Sequence, residues 1–191
     1  MDSIRKVVRF VAIANLSYFC VEFFFAQKIG SVSLFADSID FLEDASTNIL
    51  IFIAIGWSLA AIVRLSKFLA LLLLVPAISV VIGTIYEINN PSAPDAISLT
   101  AVGFGALVVN SVCALLLVKF RRTKQSLVLA AYLSARNDAL SNIAIIIAGV
   151  ITMYWVSAIP DLIVGVAIGI LNADAAVKVW KSTNINSTKP A

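Results

Sequence analysis

Asp44-Ala45-Ser46-Thr47-Asn48-Ile49-Leu50-Ile51-Phe52-Ile53-Ala54 and Asp138-Ala139-Leu140-Ser141-Asn142-Ile143-Ala144-Ile145-Ile146-Ile147-Ala148 are two versions of one segment. They share the Asp, the Ala, a hydroxyl residue, the Asn, and the Ile, Ile, Ile and Ala positions that follow. Each is embedded in a long apolar stretch. An ionisable side chain inside a membrane span is costly and marks a functional position by default. Chance readily aligns Ile with Ile in a chain this apolar, but not Asp, hydroxyl and Asn in register. The pattern predicts a site assembled from two copies of one unit.

Composition sets the class. The chain has 191 residues, 61% hydrophobic and 13% charged, with a mean hydropathy of +1.00. A soluble domain carries nearer a quarter charged residues and cannot hide this much apolar surface. The expectation is an all-α, multi-pass membrane protein. The first apolar stretch, from Val7 to Ala26, is too long for a signal peptide and reads as a first span. Cys20 and Cys113 have no Cys or His at ligand spacing and read as small buried hydrophobes. Histidine is absent, so any ion site must use oxygen ligands. The net charge of +3 is accounted for by topology and does not signal nucleic acid.

A spanning helix needs about 20 mostly apolar residues. Six stretches qualify: 7–27, 32–58, 68–88, 96–120, 127–155 and 158–180. Together they make one transmembrane domain over 1–181. The Asn89–Pro94 segment is a loop, and Ser157–Pro160 turns into the sixth helix with Pro160 in its first turn. The short polar tail 182–191 is expected to be disordered. The sequon at Asn186 falls in this tail and is a chance match.

Basic residues give the orientation. Arg5, Lys6, Arg9, Arg64, Lys67, Lys119, Arg121, Arg122, Lys124, Lys178, Lys181 and Lys189 all fall on one side of a six-span layout. Lys28 falls on the other side, and Arg136 within a span. The positive-inside rule therefore places both termini in the cytoplasm. Helices two and five then run in opposite directions at the centres of two three-helix halves. This is the arrangement of a 3+3 inverted repeat, whose substrate site lies near the midplane.

Asp40 and Asp44 lie roughly 8 and 12 residues into helix two, about 12–18 Å at 1.5 Å per residue. Ser134 and Asp138 lie at matching depth in helix five, near the middle of a core about 30 Å thick. Asp37, Asp40 and Asp44 share one helical stripe, as do Ser134, Asp138 and Ser141. Carboxylates on one stripe repel unless a cation or protons neutralise them. Arg136 projects roughly 200° from Asp138 and cannot neutralise Asp37, Asp40, Glu43 and Asp44 together. Cation binding is the better account of the excess negative charge. Glu22 and Asn15 on helix one are further candidates, with Glu22 open to an ion pair with Lys28 or Arg136. Glu43, about 100° from Asp44, can face a neighbouring helix. Asp161 reads as a helix cap and Asp174 as an interfacial residue. Gly165 and Gly169 form a small-xxx-small pair suited to close helix contact.

Gly30–Asp44 resembles the second-helix signature of the cation diffusion facilitators, Ala135–Asn142 their fifth-helix signature, and Pro160–Gly165 the start of their sixth helix. The resemblance implies a secondary transporter that exports a divalent metal against protons, usually as a homodimer. Manganese, zinc, iron and cobalt are the substrates to consider, with no tightly bound cofactor and no enzymatic activity. It also implies a metal site of Asp40, Asp44, Ser134 and Asp138, with Asp37, Asn137, Asn48, Asn142 and Glu22 as accessory candidates. Ser134 departs from the pattern, which has His or Asp there. A hydroxyl makes a harder site and leans toward manganese or other hard cations. The second departure is a chain that ends about ten residues after helix six. It is thus expected to be a short member without the C-terminal soluble domain, dimerising through its membrane helices. The plasma (inner) membrane is the expected location for a bacterial chain. Two rivals remain open on the residues alone: a non-transporting metal-binding partner of transporter ancestry, and, less favoured, an intramembrane hydrolase using paired aspartates.

The topology is directly testable. Ser92→Cys and Thr123→Cys, placed singly in a Cys20→Ser/Cys113→Ala background, should label with a membrane-impermeant thiol reagent from opposite faces. Labelling of both from the same face would exclude the six-span layout.

Overall fold

The computed structural model describes residues 2–54, 78, 80–119 and 126–171. These form six helical stretches and no strand among the described residues: α1 (Asp2–Ile29), α2 (Val32–Ala54), α3 (Val80–Asn89), α4 (Ala96–Val118), α5 (Ser126–Tyr154) and α6 (Ile159–Leu171). The expected starts of helix three and the later part of helix six, with Asp174, lie outside the described residues. So do Arg64, Lys67, Arg121, Arg122, Lys124 and the tail from 182. α1 begins at Asp2, before its apolar stretch, because nothing in Ser3–Lys6 opposes a helix.

Among the described residues three helices have the length and apolarity of membrane spans: Ile4–Ile29 in α1, Ala96–Val118, which is α4, and Ala131–Tyr154 in α5. α2 is 23 residues long but carries Asp37, Asp40, Glu43 and Asp44, so its span character lies in one face only. The exterior is apolar, with Phe24, Ile97, Phe104, Leu115 and Leu140 all exposed. The interior holds Asn15, Glu22, Asp37, Asp40, Asp44, Asn48, Asn110, Asn142 and Asp161. A water-soluble fold has the reverse arrangement, whereas a bundle solvated by lipid turns its polar residues inward. The same reasoning corrects the expectation for Cys20. It is exposed, while Cys113 is buried, because an apolar residue on a membrane helix is as well placed facing lipid as facing the core.

α1 and α2 form an antiparallel hairpin. The Tyr18 ring packs at a tilt against Phe41 at 5.0 Å, and Phe23 against Phe35 at 5.6 Å. Gly30 turns the chain with φ +69, a conformation that favours glycine. Ser31 N–H donates to Ala26 O at 3.0 Å, closing α1 with a Schellman-type bond. α4 and α5 form the second antiparallel pair. A Cβ on Gly149 would collide with Thr100, and one on Gly103 would meet Ile145 at 2.9 Å. Small residues thus let the two backbones approach closely. Asp95 caps α4, accepting from Ser98 N–H at 2.9 Å, and hydrogen bonds from Ser98 hold its carboxyl below the ordinary range.

Asp161 does cap a helix, but the helix is α2 rather than its own α6. Its carboxylate accepts from Val32 N–H at 2.7 Å, Ser33 N–H at 3.4 Å, Ser31 Oγ–H at 2.7 Å and the Ser33 hydroxyl. Ser31 Oγ in turn accepts from Leu34 N–H at 3.1 Å. Of three amides that α2 leaves without an intrahelical partner, two are thereby satisfied by an anion at the positive end of the helix and the third by the Ser31 hydroxyl that this anion holds. Gly165, one turn further along α6, lies against the same spot. A Cβ there would stand 2.8 Å from Ser33 N and Val32 C. Gly169 faces Val80 of α3, so the two glycines of the small-xxx-small pair meet different helices.

Gly165→Ala should destabilise the fold by about 1–3 kcal/mol through backbone overpacking. Asp161→Ala should cost a similar amount, about 1–3 kcal/mol, by leaving buried donors bare. Thermal unfolding in detergent reads both, and wild-type stability in either variant would refute this account of the α2–α6 contact.

Candidate cation site

α2 and α5 cross antiparallel, and three polar pairings mark the crossing like rungs. Asp37 accepts a hydrogen bond from Asn142 Nδ2. One turn along, Asp40 stands within the field of Asp138. One turn further, the Ser134 side chain reaches Asp44. The spacing follows from helical geometry: residues three and four apart share a face, so two antiparallel stripes meet position by position. Asp37, Glu43 and Asp44, on α2 with Asp40, also bear on it electrostatically.

Asp40 and Asp44 are buried, at 9% and 3% exposure. Ser134 and Asp138 are half-buried. Ser134 Oγ lies 3.5 Å from Asp138 Oδ2, so this hydroxyl sits between carboxylates of two helices. Asn15 Nδ2 lies 3.5 Å from Asp44 Oδ2, and Cys113 Sγ lies 3.8 Å from Asn15 Oδ1. These contacts are at the long limit of hydrogen bonding. Among the described residues no three acidic or thiol groups already form a metal-gripping cluster. Among the described residues no Lys or Arg acts on any of Asp37, Asp40, Asp44 or Asp138.

The accessory candidates separate. Asn137 is exposed and accepts from Arg136 Nη2 at 3.3 Å, so both residues lie outside the carboxylate group. Asn142 is fully committed elsewhere, donating to Asp37 and accepting from Asn110 Nδ2 at 3.0 Å. Asn48 is its counterpart in the first copy, yet it folds its Nδ2 back to Asp44 O at 2.8 Å. Its Oδ1 is buried without a partner. Asp37 stands opposite Asn142, whereas the position matching Asp37 in the second copy is Ala131. Glu22 is wholly buried and faces Asp37. It forms no ion pair with Lys28, which lies over the Phe25 ring at 5.7 Å, or with exposed Arg136. A cavity of about 750 Å³ between α1, α2 and α3 is lined chiefly by Phe19, Phe23, Phe35 and Val80, and none of the three crossing aspartates opens into it.

Residues 62–184 match the cation efflux transmembrane domain family. The chain belongs to the cation efflux family. This is a family of cation transporters, and membership agrees with the apolar helices of an integral membrane protein. The matched span takes in Ser134 and Asp138 of this cation efflux chain, while Asp40 and Asp44 precede it. No curated protein matches.

The two asparagines should therefore differ in stability cost. Asn142→Ala removes two side-chain bonds and bares Asp37, for about 1–3 kcal/mol. Asn48→Ala removes one bond to a backbone carbonyl, for about 1 kcal/mol or less. Denaturant or thermal unfolding compares them, and equal losses would contradict the geometry.

Proposed function

We propose that the protein is a secondary transporter that exports a divalent metal cation by proton antiport. Asp40, Asp44 and Asp138 bind the ion, and Ser134 completes the shell. The observation that carries this reading is the crossing of α2 and α5, which sets two aspartates of one helix against an aspartate and a hydroxyl of the other, with no neutralising Lys or Arg among the described residues. Gathering three carboxylates around one ion requires α2 and α5 to close together. That movement is of the kind that exchanges access from one side of a membrane to the other. With no histidine in the chain, protons compete with the ion for the carboxylates themselves. The oxygen-only ligand set leans toward a hard ion such as Mn²⁺, ahead of Zn²⁺, Fe²⁺ or Co²⁺. The 3+3 inverted repeat, cytoplasmic termini, a homodimer formed through membrane helices and a plasma-membrane location complete the proposal.

Purified protein in liposomes loaded with a pH-sensitive dye, challenged with Mn²⁺, Zn²⁺, Co²⁺, Fe²⁺ and Cd²⁺, tests it. Metal-driven proton flux is expected, weakening as external pH falls because ligands must be deprotonated to bind metal. Asp44→Ala and Asp138→Ala should each reduce flux at least about tenfold, the upper range of indirect ligand effects being larger still. Flux that survives both substitutions sinks the reading. Metal binding without flux would favour a non-transporting partner, for which the weak Ser134 ligand is the specific support.

A further inference from the structure

Glu22 and Asp37 are both 0% exposed and belong to helices that pack as a hairpin. Their carboxyl groups come within hydrogen-bonding reach of each other. Neither Glu22 oxygen meets a donor, nor does Asp37 Oδ1. Among the described residues the one donor at the pair is Asn142 Nδ2, on Asp37 Oδ2. The described surroundings supply nothing more. From α1, Tyr18 faces the pair, but its hydroxyl donates to Val102 O at 2.6 Å. From α2, Asp40 adds negative charge, and from α5 the nearest acid is Asp138. α4 carries no charged residue along its length.

Two buried carboxylates this close cannot both remain charged without a cation. Every unsatisfied atom at the pair is an acceptor, so what it lacks is a donor. Three donor-free oxygens are too few for a hard metal ion, which takes about six or more. One proton is enough. It turns an acceptor–acceptor contact into a charge-assisted O–H···O bond, among the strongest available to side chains.

We propose that Glu22 and Asp37 form a second cation-binding site, separate from the metal ligands, whose ligand is a single proton bridging the two carboxyls. Asn142 orients the acceptor, and Asn110 orients Asn142. The site links α1, α2, α4 and α5 directly above the crossing of the metal ligands. It holds one positive charge that does not have to leave when the metal arrives.

Infrared spectroscopy of the full chain in lipid at neutral pH tests this through the C=O stretch of a protonated carboxyl, identified by its shift in deuterated water. The wild type should show the band. Glu22→Gln should abolish it, because the amide supplies the donor and no proton is needed. That substitution is nearly isosteric, so the fold should be retained. Asp37→Asn should shift or abolish the band, which guards against a misfolded first variant. Asp40→Asn should leave it in place. A band untouched by both Glu22→Gln and Asp37→Asn would overturn the proposal, as would a wild type with no band that instead gains thermal stability from added sodium.

Discussion

The structure depends on one constraint: carboxylates held inside an apolar-walled bundle must be satisfied without basic partners. In hydrocarbon, every buried charge or bare polar group is expensive. The described helices offer no Lys or Arg to the buried acids, so the protein solves the problem in three local ways. Asp161 is satisfied by backbone amides and hydroxyls at a helix start. Asp37 is met by an amide side chain and by a second carboxyl. Asp40, Asp44 and Asp138 are left with one hydroxyl and one long contact from Asn15. The third group is the least satisfied. A mobile cation is best recruited where the protein's own donors stop.

Much of this was legible in the sequence, and the reason is periodicity. Acids at 37, 40 and 44 and polar groups at 134, 138 and 142 fall on helical stripes, and helical stripes need no tertiary information. Once the two helices run antiparallel, the pairing of the stripes follows. What escaped the sequence was contact between residues with no shared period. Nothing local marks Glu22 as the partner of Asp37, because that pairing depends on where the hairpin turns at Gly30. Nothing local marks Asp161 as the cap of α2, since caps are ordinarily read within their own helix. Its signal existed only in retrospect, in Ser31 and Ser33 flanking a helix start that lacks an acidic residue of its own.

The likeness of the two Asp-Ala segments is legible too, and so are its limits. Asp44 and Asp138 match, as do Asn48 and Asn142, but Asp37 and Asp40 correspond to Ala131 and Ser134. The structural consequence is visible at the asparagines. Asn142 spans a gap to a carboxylate, while Asn48 faces none and turns back on its own helix. The first copy therefore holds most of the negative charge, and the second contributes one aspartate and a set of neutral oxygens. The candidate site is lopsided in its electrostatics.

The bond set at Asp161 has a further meaning for how α2 moves. A helix end fixed through two backbone amides and two hydroxyls to one carboxylate on a neighbour, and pressed against Gly165 without room for a Cβ, has lost one degree of freedom. It can tilt about that end like a rod in a socket, but it cannot spin about its own axis without breaking the set. A spin of one residue would carry Asp40 and Asp44 about 100° away from α5. The socket thus fixes which way the carboxylates look, whatever angle the helix adopts.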